Sequence, residues 1–204
     1  MLMDLSALSS LAGILSEAFI DPRGDVGGRM AALLQLLPKS AETQALRETL
    51  NVMATAQEPR EEREAEFVRL FQHSAGLRCA HPYESVYTHG RMMAPERISA
   101  LESIFGDAGL KPQDDLHIPL DHIGLELEAL SYFLAGMAEA GSSAEEERKW
   151  RSLASRLVHD HLLPFSKAFV GKLDEAKPGP YFKAAAEALS ILMPLAAEAA
   201  TGRC

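Results

Sequence analysis

At 204 residues the chain is long enough for one large domain or two small ones, and a hydrophobic share of 47% supplies a sizeable core, which excludes a disordered chain. Asp and Glu outnumber Lys and Arg by 29 to 20, a formal charge of −9, so general binding to phosphate backbones is excluded and a cationic partner such as a basic peptide is favoured. No apolar run suggests a bilayer span, so no membrane insertion is expected, and Cys79 and Cys204 make neither a CxxC nor a metal spacing, which points to a reduced, cytoplasmic protein.

In chain order, the N-terminal "DLSALSSLAGILSEAF" puts Leu5, Leu8, Leu11, Leu15 and Phe19 on one helical face. It has no Lys or Arg ahead of its apolar part, and Asp4 stands where a signal peptide needs positive charge, so a helix is expected instead. "PRGDVGG" (22–28) ends it, and "RMAALLQLL" forms a short apolar helix stopped by Pro38. Ser40 suits the N-cap of a helix with Leu46, Leu50 and Met53 inward. "REEREAEFVRLFQ" (60–72) opens with acids, which favour the positive end of a helix, and carries the stripe Phe67, Leu70, Phe71.

The run 74–94 then carries no helical period. A helix follows from Pro95 with Ile98, Leu101, Ile104 and Phe105 inward, and a proline-containing linker or hinge spans 111–120. From Asp121 a long helix places Ile123, Leu127, Leu130, Leu134 and Met137 inward and closes at Gly141. Ser143 and Glu146 form a capping box for a helix running through Leu163, where Pro164 kinks or breaks it before "FSKAFVGKL". An alanine-rich helix with an internal Pro194 ends the chain. The expected fold is all-α: a single irregular bundle of about eight or nine helices over residues 1–204, with a functional loop at 74–94.

Long irregular segments inside a helical domain are usually functional. In "PYESVY", Tyr83 and Tyr87 offer ring faces with free hydroxyls, and Glu84 offers a carboxylate. They suit either a pocket that grips a basic-then-apolar peptide, or a loop pinned to the bundle with Glu84 capping a neighbouring helix. In "LDHIGLELE", Asp121 can cap its own helix. His122 and Glu126, four apart, suit a metal pair, a hydrogen bond or a solvated helix start. Gly124 in the first turn costs about 1 kcal/mol against alanine, so something is expected close to the backbone there.

His159 and His161 are two apart on a helix and should face different ways; both read as core or surface histidines. The even spacing of His73, His81 and His89 reads as coincidence. No Glu precedes a His by three positions, which argues against a di-iron bundle. A nucleophile elbow, a phosphate-cradling glycine loop and a zinc HExxH are also absent from the sequence. Trp150 should pack one edge into the bundle.

Taken in order, "EFVRLFQ", "PYESVYTHG", "LDHIGLELEALSYFLA" and "HDHLLPFSKAF" resemble the TorD/DmsD/NarJ family of redox-enzyme maturation chaperones over roughly residues 60–190. The resemblance implies an all-helical, cytoplasmic chaperone without enzymatic turnover or cofactor. Its implied partner is the precursor of a molybdopterin-dependent oxidoreductase, held by its twin-arginine signal peptide or its body until cofactor insertion is complete. The implied signal-peptide-binding residues are Tyr83, Glu84, Ser85 and Tyr87, with Asp121, His122 and Glu126; no metal ligands are implied. Leu120 stands where the family usually has proline, with Pro119 one earlier. In the late "HLxxWxxxF" pattern, His161, Leu162, Phe165 and Phe169 fall into place, with phenylalanine for tryptophan and Pro164 inserted. A metal- or nucleotide-handling protein using His122 and Glu126 is the alternative, and a permanent helical subunit a third reading. Monomer and swapped homodimer both fit the 111–120 hinge.

Overall fold

A computed structural model describes residues 3–24, 26–56, 59–72, 79–111 and 117–202. His73, Cys204, the start of the 74–94 run and residues 112–116 of the 111–120 hinge lie outside the described residues. The α-helical segments are α1 (Leu5–Ile20), α2 (Gly27–Leu36), α3 (Ala41–Thr55), α4 (Arg60–Phe67), α5 (Glu84–His89), α6 (Pro95–Ala108), α7 (Ile123–Glu139), α8 (Ala144–Leu157), α9 (Leu163–Glu175) and α10 (Pro180–Thr201). A π turn, Val68–Gln72, extends α4, and another, Val158–Leu162, joins α8 to α9. Ten segments with α8 and α9 fused make nine continuous rods, in keeping with the all-α bundle expected.

The core forms around α1, α7 and α10. Nine residues of α1 are buried, from Ala7 to Phe19, which is more than one face. The α1–α7 pair is the most extensive in the molecule, and small residues bring the two axes together. Ser9 Oγ donates to the Ser131 carbonyl and Ser131 Oγ to the Ser9 carbonyl, both at 2.8 Å. At Gly124 a Cβ would overlap the side chain of Ile20, which is the close approach the sequence suggested. At Gly136 a Cβ would overlap the indole of Trp150, whose ring also stacks on Phe133 at 6.2 Å.

α10 is long and apolar enough to cross a membrane, contrary to the sequence reading, but just over half of that window (56%) is buried within the bundle. Its Phe182 sets its ring edge-on to Phe71, which joins Phe19 and Phe169 in further edge-on and stacked ring pairs. Ser40 sits at the start of α3 as expected, its N–H on Thr43 Oγ1. Ser143 Oγ accepts from the Glu146 N–H at 3.4 Å, the capping half of the expected box.

Two expectations change. The 74–94 run is not a loop throughout, because residues 84–89 form α5. Six residues are under two turns, and the buried pair in them, Glu84 and Ser85, is polar, so no apolar period marks the helix. Gly90, at φ +64°, ends it in the left-handed region that glycine adopts freely. Second, Asp121 does not cap its own helix. His122 does so, its Nδ1 accepting from the Gly124 N–H at 3.0 Å.

Candidate functional site

The two motifs meet as backbone before they meet as side chains. The Glu84 N–H donates to the Asp121 carbonyl and the Ile123 N–H to the Pro82 carbonyl, both at 2.8 Å, forming an isolated antiparallel bridge between Tyr83 and His122. Asp121 Oδ2 then accepts from the Ser85 N–H at 3.1 Å, so its carboxylate caps α5 from across the chain. Ser85 Oγ in turn accepts from the Ala94 N–H at 3.0 Å, closing the turn after α5. One helix start is thereby built against the other.

Beneath the bridge lies a cluster of ionisable groups. Glu84, Asp121 and Glu126 are each 0% exposed and are the only buried acids among the described residues. Glu84 Oε2 lies 2.9 Å from His161 Nδ1, and Oε1 lies 3.4 Å from Arg97 Nη1, an ion-pair separation without hydrogen-bond geometry. Asp121 Oδ1 and both oxygens of Glu126 have no hydrogen-bond partner. Desolvation, with Glu84 and Asp121 adding repulsion, pushes the Glu126 carboxyl well above its usual range; Arg97 pulls the other way. Burial holds His122 down at about 4, so its imidazole is neutral at physiological pH, as its capping role requires.

Pro164 explains how His161 and Arg97 arrive. Proline has no N–H for the carbonyl of Asp160, four residues earlier, and Arg97 Nη1 donates to that carbonyl at 2.8 Å instead. The chain passes the proline as a π turn, with the Leu163 N–H on the Val158 carbonyl. His161 is buried there while His159 stays exposed, as their two-residue spacing suggested.

The expected site residues therefore divide. Tyr83 and Tyr87 are half-buried. Tyr83 sets its ring edge-on to His122 at 5.2 Å, while Tyr87 packs against Phe165 and Phe169 at 5.9 and 6.2 Å. Desolvation raises the phenol of each. Glu84, Ser85, Asp121, His122 and Glu126 are brought together but inside the fold. The three carboxylates among the implied leader-binding residues are thus enclosed, and Glu84 already pairs with a guanidinium of this chain. His122 and Glu126 do not form the pair their spacing allows: Glu126 groups with Glu84 and His161.

Arg97 was missed in the sequence because an exposed-looking "PERIS" helix start gives no sign of a buried partner. The signal that could have found it is indirect, since acids in an apolar setting need a counter-charge. Beside the Asp121–His122 turn, Leu120 and Leu125 line a groove of about 770 Å³ together with Ile20, Phe105, Leu110 and Tyr132.

A family model described as nitrate reductase delta subunit matches residues 35–171, a span that contains the bridge and every member of the buried cluster. The chaperone protein TorD of Vibrio cholerae serotype O1 (El Tor Inaba) is 29% identical over 155 residues, covering 74% of this chain and 68% of the relative. Its counterpart in the Classical Ogawa strain is 30% identical over 158 residues, covering 75% and 69%. The chaperone protein TorD of Aeromonas salmonicida is 24% identical over 169 residues, covering 83% and 75%. These relatives are chaperones, a class without catalytic turnover. The chain belongs to the TorD/DmsD/NarJ family of redox-enzyme maturation chaperones.

Proposed function

We propose that this chaperone works in the cytoplasm on the precursor of a molybdopterin-dependent oxidoreductase. It binds the precursor's twin-arginine signal peptide and retains it until cofactor insertion and folding are complete. The observation that carries the reading is the backbone bridge between residues 82–85 and 121–123. It makes one surface of two motifs that are far apart in the chain and that the family resemblance assigns to the leader.

Tyr83 and Tyr87 are the contact residues in this reading, since they are the two members of the set that stay partly exposed and they offer large ring area. Glu84, Ser85, Asp121, His122 and Glu126 set the backbone that presents them. Their carboxylates meet the leader's arginines only when the bridge opens. The groove beside Leu120 and Leu125 takes the apolar stretch that follows the arginines, and the acidic surface draws the basic end. Burying about 300 Å² of apolar leader at about 25 cal/mol per Å² contributes about 7 kcal/mol. Ordering a flexible leader costs about 2–5 kcal/mol. With the charged contacts added, binding falls near the micromolar range, about −8 kcal/mol.

The test is capture of a fluorescent leader peptide by anisotropy, using wild type, Tyr83→Ala and a leader with both arginines changed to alanine. Tenfold or greater weakening by either change is expected, with the protein's melting temperature held. Equal capture in all three pairings would place the leader elsewhere on the molecule.

A further inference from the structure

We infer that Glu84, Glu126 and His161 form a binding site for one first-row divalent cation, an ion that ties α5, α7 and the π turn between α8 and α9 together. The inference is independent of leader binding, and it assigns an ion where the family resemblance implied none and to a different set of ligands from the His122–Glu126 pair weighed in the sequence.

The donor atoms come first. One carboxylate oxygen from each glutamate and one ring nitrogen of His161 lie within 4.8 Å of one another, and all three residues are buried. Ligand atoms around a tetrahedral ion sit about 3.4 Å apart, so binding requires a closure of up to about 1.4 Å. Glu126 is free to supply it, because neither of its oxygens holds a hydrogen bond. A fully buried carboxylate with both oxygens unpartnered, aimed at an imidazole and a second carboxylate, is a ligand set short of its centre.

Charge makes the same point separately. Three carboxylates are buried at this place, and one guanidinium, that of Arg97, is paired with one of them, Glu84. Two negative charges are left over if all three acids are ionised and His161 is neutral. A divalent ion balances them and replaces the His161–Glu84 hydrogen bond by two metal bonds.

The donor types narrow the ion. An imidazole with two carboxylates suits zinc, manganese or ferrous iron, whereas calcium and magnesium prefer shells of oxygen. Arg97, beside Glu84 Oε1, keeps that oxygen from the ion and leaves Oε2 as the ligand, which fixes Glu84 as monodentate.

The test uses the full chain, stripped with a chelator, dialysed free of it and titrated with zinc while bound metal and melting temperature are followed. Wild type should take up one zinc per chain and melt several degrees higher. Glu126→Gln, which removes an unpaired buried acid and should fold at least as well, should lower zinc affinity tenfold or more and abolish the thermal shift. His161→Gln should act alike, and the exposed His159→Gln should leave uptake unchanged. If His161→Gln fails to fold, Glu126→Gln decides alone. Absence of stoichiometric uptake by wild type, or equal affinity in Glu126→Gln, would overturn the site and leave Glu126 as a neutral buried acid only.

Discussion

At the scale of single residues, burial gives His122 a titration that can be read from outside. Its folded value of about 4 lies below the usual 6.5. Between those values the unfolded chain carries a proton on this residue that the folded chain lacks. Stability from His122 is therefore fully present above about pH 6.5 and is lost as pH falls toward 4, by about 3 kcal/mol in all. Glu126 acts with the opposite sign. Its raised value favours the fold at low pH and costs stability as pH rises past 4.5. The two overlap, so wild type alone shows only their difference. His122→Asn keeps a capping side chain without a titrating group. Urea unfolding of both proteins at pH 7 and pH 4.5, with chelator present, should show wild type losing about 2 kcal/mol more than the variant, most of the full effect; parallel losses would remove His122 from this role. Arg97 offers a second measurement. Replacing it by methionine leaves Glu84 without its guanidinium and the Asp160 carbonyl without a donor. A broken buried pair costs about 3–5 kcal/mol. With the Arg97 side chain 27% exposed, a loss of about 2 kcal/mol is expected in the same assay, partly restored by Glu84→Gln. A loss below about 0.5 kcal/mol would make the pair a surface contact in energetic terms.

At the scale of helices, what the sequence made legible follows from what apolar periodicity can carry. α1, α3, α7 and the helix after Pro95 each present a run of large apolar residues, and those runs face the core. α5 has no such run, because its buried positions are a carboxylate and a hydroxyl, and no period records a polar residue turned inward. Cap assignment failed for a related reason. Asp121 and His122 are both good capping residues, and only the bridge to residues 82–85 decides that the aspartate serves α5 and the histidine α7. The close approach at Gly124 was legible as a cost without a visible return; its cause, Ile20, lies about a hundred positions away. Alanine at 124 would gain up to about 1 kcal/mol in helix propensity but must displace the Ile20 side chain, at about 1–3 kcal/mol. The clash should win. Gly124→Ala is expected to lower stability by about 1–2 kcal/mol, and Ile20→Ala should cost less in that background than in wild type. Additive effects of the two changes would show that the helices do not meet at this point.

At the scale of the molecule, the segment that carries family character and the segment that folds are different lengths. The family match runs over residues 35–171 and holds the bridge, the buried cluster and the π turn. Yet α1 lies before it and all of α10 beyond its end, and these helices bury nine and twelve residues. The α1–α7 pairing is the most extensive in the molecule and reaches Gly124, against which Ile20 packs, so the start of α7, with Asp121 and His122 just ahead of it and Glu126 in it, is held in place by a helix outside the matched region. A chain lacking residues 1–26 would uncover the α1-facing side of α7 and lose Ile20 from the groove, but would keep the bridge and the buried cluster in its sequence. It is expected to retain helical circular dichroism but to lose a cooperative thermal transition, to bind a hydrophobic dye, and to lose leader capture together with zinc uptake, since both depend on where α7 begins. A sharp melt in the shortened chain, with capture intact, would mean that the site organises itself through the residue 82–85 bridge alone and that α1 serves only to cover it.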